Sequence, residues 1–172
     1  MCSSDLNLEL LETLRFQNKK NTLLSILDKC VTAMGSRYLK KSLMFPLINK
    51  EEIERRYNII DKMKKAFIET SDLRKALSDV YDLERIIGRI SYENANPKDL
   101  LQLRKSLANI PLVVKLINNI GLNKYFDLQK DYEKYNSVYS LIDDSISLDA
   151  PFVIKEGNII KRGFNAELDE LK

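Results

Sequence analysis

The chain has 172 residues, 44% apolar and 31% charged, with a net charge of +3 at neutral pH, a balance that suits one compact folded domain. No run approaches the roughly 20 apolar residues that a membrane-spanning helix needs, and the start Met1-Cys2-Ser3-Ser4-Asp5 has no charged-then-apolar secretory pattern, so a cytoplasmic setting is expected. The absence of histidine removes the imidazole base of Ser-His or Cys-His catalysis, and Cys2 and Cys30 have no zinc-ligand spacing, so both are expected as thiols.

Glycine (35, 88, 121, 157, 163) and proline (46, 97, 111, 151) are scarce, so chain breakers punctuate long stretches, which favours helices. Thr22 to Lys41 reads as helix interrupted around Thr32 to Gly35, where threonine caps a new segment and glycine weakens the old one. Asn49 with Glu52 three residues on resembles an N-cap and its capping-box partner. Behind it Ile53, Tyr57, Ile60, Met63 and Phe67 share one helix face, expected to be buried. Ser71 to Ile90 reads as two short helices. Asn96-Pro97-Lys98-Asp99 is a second start signal, because asparagine caps free N–H groups while proline at the first helical position loses no bond. Leu100, Leu103, Leu107 and Ile110 then form a buried stripe. A separate helix is expected after Pro111 towards Asn119, and a longer one over Tyr125 to Ile142, with Leu128, Tyr132, Tyr135 and Tyr139 at compatible spacing.

Near the end, Phe152-Val-Ile-Lys155 and Ile159-Ile-Lys161 flank a Gly157-Asn158 turn, and the β-branched residues predict a small hairpin. Beyond Gly163, Asn165-Ala-Glu-Leu-Asp-Glu-Leu-Lys172 starts another helix, with acids at its positive end. An amphipathic helix of barely two turns has its partners elsewhere, so a piece of a longer protein is expected. The fold class read from these elements is all-α: a multi-helix bundle with a small β-hairpin near the C-terminus and the start of a further helix.

Candidate chemistry is sparse. No glycine supplies the G-x-x-x-x-G-K-[ST] spacing that surrounds phosphates with backbone N–H groups and a lysine, and G-x-S-x-G is also missing. Asp143-Asp144 could in principle do acid–base work, but adjacent acids before Ser145 fit a helix end or turn. No catalytic, cofactor-binding or metal-binding residue is assigned. The charge is uneven: Arg37 to Lys65 holds nine Lys/Arg against four Asp/Glu, and Lys124 to Asp149 three against six. The basic 37–65 surface is the basis of an alternative reading, an independent helical nucleic-acid-binding domain.

Several phrases taken together resemble the core domain of the bacterial MutS family of DNA mismatch-repair proteins. They are Asn7-Leu-Glu-Leu10; Asp28-Lys-Cys-Val-Thr-Ala-Met-Gly-Ser-Arg37 continuing to Pro46-Leu47; Asp82-Leu-Glu-Arg-Ile-Ile-Gly-Arg-Ile90; Ala95-Asn-Pro-Lys-Asp-Leu100; and Gly163-Phe-Asn-Ala-Glu-Leu-Asp-Glu-Leu171. Their order and approximate spacing match over nearly the whole chain. The resemblance implies a helical core, or lever, that links a mismatch-binding domain to a DNA clamp and an ABC-type ATPase. ATP and magnesium would then belong to the full-length protein, which would be a homodimer acting on mismatched duplex DNA, while the isolated segment would be monomeric.

The family's phenylalanine wedge, with a glutamate two residues later, is matched literally by Phe67-Ile68-Glu69. That wedge belongs to a domain upstream of the core, and Phe67 completes a periodic helix face, so core packing is expected of it. Structural roles are expected of Gly35, Arg37, Asp82, Glu84, Arg85, Gly88, Arg89, Asn96 and Pro97. The two glycines would allow close helix approach or a bend. The three arginines would hold carboxylates or carbonyl ends, with Asp82 and Glu84 as partners, or else touch DNA phosphate.

Overall fold

The computed structural model describes residues 10–11, 20–126 and 130–171; Cys2, most of the Asn7–Leu10 phrase and Leu128 lie outside them. Contacts group the chain into two units, Met1–Phe67 and Ile68–Lys172.

In the first unit, helices α1 (Leu23–Leu27), α2 (Ala33–Met44) and α3 (Lys50–Lys65) follow one another. Each starts on a side-chain cap. Thr22 and Ser25 form a reciprocal capping box, Thr32 accepts from the Gly35 amide, and Asn49 accepts from the amides of Glu51 and Glu52. The helix break predicted around Thr32 to Gly35 is therefore the start of α2. Helix α3 carries Glu51 and Glu52 in its first turn and Lys62, Lys64 and Lys65 in its last, the arrangement that its dipole favours.

The burial expected along Ile53, Tyr57, Ile60, Met63 and Phe67 is not found. Helices α1 to α3 contain no buried residue, and Phe67 is 76% exposed. One reason is local: α3 ends at Lys65 with Ala66 as its C-cap, so Phe67 opens the next helix and leaves the face that the spacing assigned to it. The other is general, since periodicity marks a face able to be buried but supplies nothing to cover it. Phe67→Ala should accordingly change unfolding free energy by no more than about 0.5 kcal/mol in a urea titration. A fully buried ring would cost about 3–5 kcal/mol.

The second unit continues with α4 (Phe67–Ser78, whose first residue closes the first unit), α5 (Leu83–Ser91), α6 (Pro97–Ile120), α7 (Tyr132–Ser145) and α8 (Ala166–Glu170). Its core gathers Ile86, Leu103, Ile142, Ile146 and Ala150, with Leu83, Leu100, Leu101, Leu107, Ile159 and Ile160 packed against them. Helix α6 is the spine, packing on α7 most extensively and also on α5.

Two expectations are corrected here. Helix α6 does not stop at Pro111; it runs through it for 24 residues. An internal proline costs roughly 3 kcal/mol, but α6 buries Leu103 and Ser106 before it and Val113, Leu116, Ile117 and Ile120 after it. At about 1.5–3 kcal/mol per fully buried aliphatic side chain, that stripe outweighs the lost bond. The helix ends instead at Gly121, whose φ of +77° is the left-handed conformation that glycine tolerates. The following helix starts at Tyr132, later than its tyrosine spacing suggested, because Tyr125 lies in the turn after Gly121.

The second correction is the hairpin. Residues Ile154–Glu156 form a 3₁₀ turn, and the only β pairing among the described residues is one antiparallel bridge between Ile146 and Ile160. The Ser147 amide donates to the Ile159 carbonyl at 2.8 Å and the Lys161 amide to the Ser145 carbonyl at 2.8 Å. An isolated two-stranded hairpin is marginal in water, whereas pairing with the end of α7 places Ile159 and Ile160 against the core. The last helix starts as expected, with Asn165 accepting from the Leu168 amide. Among the described residues, no helix is long and apolar enough to cross a membrane.

Candidate functional site

Apart from Asn7–Leu10, mostly outside the described residues, and Gly163–Leu171, which holds α8, the residues that carry the family resemblance fall in two places, one in each unit. In the first unit, Asp28 follows α1 and turns the chain into α2. Its Oδ1 accepts from the Cys30 amide and from the Ser36 hydroxyl, both at 3.1 Å. The Cys30 amide foremost, then the Ser36 hydroxyl, hold this carboxyl below its ordinary value. A depressed carboxyl contributes stability above its unfolded value and loses it as pH falls through the folded one, so this turn is favoured at neutral pH and weakened in acid.

Gly35 sits where the chain is tight. A Cβ there would lie 3.0 Å from Thr32 Oγ1 and 3.3 Å from Cys30 Cβ, so the close approach is to the preceding turn and not to a neighbouring helix. Arg37 is half-buried in α2. Cys30 is exposed and in no disulfide. One turn further on, Arg56 Nη2 donates to the Tyr38 hydroxyl at 2.6 Å with its guanidinium 5.4 Å from the ring centre, tying α3 to α2.

In the second unit, the phrases Asp82–Ile90 and Ala95–Leu100 meet. Asp82 caps α5, accepting from the Arg85 amide at 3.4 Å, and also faces Arg85 Nε at 3.4 Å; Arg85 is exposed, so that ion pair is weak. Glu84 lies exposed in the first turn of α5. Arg89 turns to a different acid. Its Nε donates to Asp99 Oδ2 at 2.8 Å and its Nη2 to Asp99 Oδ1 at 2.6 Å, the two-pronged geometry that guanidinium and carboxylate favour. Asp99 is 5% exposed and Arg89 is half-exposed at 40%.

The start of α6 completes the group. Asn96 Oδ1 accepts from the Asp99 amide at 2.9 Å while Asp99 Oδ2 accepts from the Asn96 amide at 3.1 Å, with Pro97 buried at the first helical position. Asp99 thus caps α6 and clasps α5 at once. Asp82 and Glu84 were the partners expected for the arginines, and for Arg89 the structure puts Asp99 there. The usable signal was present: the third position of a capping box already aims a carboxylate at the helix start.

Gly88, on the same short helix, has nothing within 4 Å of the place a Cβ would occupy, so no close approach requires it. Gly88→Ala should raise stability by about 0.5–1 kcal/mol, because a helix-interior glycine loses more backbone entropy than alanine. A higher melting temperature in a thermal scan is the expected readout.

Four further links were not visible in the sequence. The buried Ser106 hydroxyl accepts from the Tyr81 amide at 3.0 Å and donates to the Gln102 carbonyl at 2.9 Å. Asn109 donates to the Ala76 carbonyl at the end of α4. Arg104 of α6 pairs with Asp143 of α7, whose own carbonyl accepts from Lys161. Asp143 is therefore a structural clasp in the last turn of α7. These links span 18 to 39 residues, beyond the reach of periodicity.

Among the described residues, no group of three or more Cys, Asp or Glu side chains is placed to hold a metal ion. Gly35 and Gly88 are helical, while Gly121, Gly157 and Gly163 stand on separate turns, so the five glycines form no shared loop.

Comparison with known proteins agrees with the layout. A family profile described as MutS domain III matches residues 4–171. Among curated relatives, the DNA mismatch repair protein MutS of Clostridium tetani is 40% identical over 166 residues, covering 96% of this chain and 19% of the relative. The proteins of that name from Staphylococcus epidermidis and Geobacillus thermodenitrificans are each 42% identical, over 95% and 98% of this chain and 19% of the relative. The chain therefore spans about a fifth of the length of these relatives, and it belongs to the MutS domain III family.

Proposed function

We propose that this chain is the core, or lever, segment of a cytoplasmic, homodimeric DNA mismatch-repair protein, and that its work is mechanical: it transmits rearrangements between an ATPase domain and a DNA clamp carried elsewhere in the longer protein. The observation that carries this reading is the match to MutS domain III over residues 4–171, together with relatives named for DNA mismatch repair. The bonded links in the second unit support it. Arg89–Asp99 and Arg104–Asp143 tie helices together and Ser106 holds the segment before α5 through the Tyr81 amide, and rigid-body motion needs elements that keep their mutual arrangement. On this reading the isolated segment neither hydrolyses ATP nor reads DNA bases.

Fluorescence anisotropy of the chain with matched and mismatched duplexes tests this. Its modest positive stretch should give at most non-specific affinity of roughly 10⁻⁴ to 10⁻⁶ M at physiological salt. The two duplexes should be indistinguishable, since discrimination needs contacts to base edges or a wedge that exploits local deformability. Tight, steeply salt-dependent binding that weakens when Lys62, Lys64 and Lys65 are neutralised would instead establish the independent DNA-binding reading of the 37–65 surface.

A further inference from the structure

We propose that α6 is hinged at Pro111, with its two halves belonging to different packing groups that shift relative to each other. Three observations converge on that residue. The first is covalent: a proline has no N–H to give the Leu107 carbonyl and its ring crowds that turn, so the helix is weakest at this step. Pro111 is itself exposed, so no burial of its ring accounts for a residue that weakens the helix.

The second is the division of the core. The half before Pro111 contributes Leu100, Leu101, Leu103 and Leu107 to the cluster around Ile86 and Ile142. The buried residues after it, Val113, Leu116, Ile117 and Ile120, are not members of that cluster. The last side-chain links on the first half, Ser106 to Tyr81 and Asn109 to Ala76, stop just short of the proline. Both halves face α7, but the cluster and the side-chain links hold the first half alone, and the boundary falls where the helix is weakest.

The third is free space. Beside Pro111 the interface with α7 opens into a groove of about 630 Å³ that reaches Asn118 and Tyr132, continued by one of about 250 Å³ flanked by Tyr135 and Tyr139. Pro111 and Tyr132 line both. Closely packed interiors resist deformation, and here the packing is interrupted on the side where one half would have to move past α7.

The hinge is a property of this chain and does not depend on the coupling role; it would give that role a defined pivot. Amide residual dipolar couplings, measured by NMR on the unmodified chain and on Pro111→Ala, test it without DNA or nucleotide. Expected in the unmodified chain are two alignment tensors, one for the amides before Pro111 and one of smaller magnitude for those after it. In Pro111→Ala the difference should be lost, because alanine restores the missing bond and is the best helix former. A single tensor for all of α6 in the unmodified chain would overturn the proposal. So would two tensors that Pro111→Ala leaves unchanged.

Discussion

Replacing Asp99 by alanine should lower the unfolding free energy of the chain by about 3 kcal/mol, the lower end of what breaking a buried ion pair costs. The lower end applies because Arg89 is 40% exposed and can turn to solvent. The substitution also removes the carboxylate that accepts from the Asn96 amide, leaving a helix-start donor without that partner. Arg89→Ala should be comparably harmful for a different reason: it leaves the Asp99 charge, 5% exposed, without its guanidinium. Because both variants destroy one interaction, the double variant Arg89→Ala/Asp99→Ala should cost clearly less than the sum of the two. Urea titration of the four proteins gives the coupling directly. Additive losses would mean that the two side chains act independently.

Ile86→Ala should cost about 4 kcal/mol, within the range for deleting most of a buried aliphatic side chain and leaving a cavity. Ile86 is 1% exposed and stands in the cluster formed by α5, α6, the end of α7 and the returning 146–160 pair, so several elements would have to collapse to refill the space. Ile86→Val should cost only about 1 kcal/mol. The contrast with Phe67→Ala, a larger side chain on an exposed position, separates burial from hydrophobicity. A chain as stable with Ile86→Ala as without it would place the core elsewhere.

What could be read from the sequence was what short-range physics decides. Thr32, Asn49, Asn96 and Asn165 announce helix starts because each bonds amides within three residues of itself. Pro111 was misread because its local cost is opposed by burial spread over Leu103 to Ile120, which depends on what lies beside the helix. The hairpin failed for the same reason: Ile159 and Ile160 find a better partner at the end of α7 than across their own turn. Family phrases located Arg89 but not its bond to Asp99, since the ten-residue step between them crosses a helix end and a turn. The apolar face of α3 was legible as a pattern, and its exposure was not.

The central claim, that this segment couples distant activities and possesses neither, is tested most directly by transplantation. The MutS protein of Bacillus subtilis is 40% identical to this chain over 166 residues, so its corresponding segment can be exchanged for this one. Whatever dependence of ATP hydrolysis on mismatched duplex the unaltered protein shows when assayed alongside should then be retained by the chimera, and the mutation rate of cells carrying the chimera should stay at that of cells carrying the unaltered protein. A chimera that binds mismatched duplex and hydrolyses ATP, yet shows no dependence of one on the other, would contradict the proposed role.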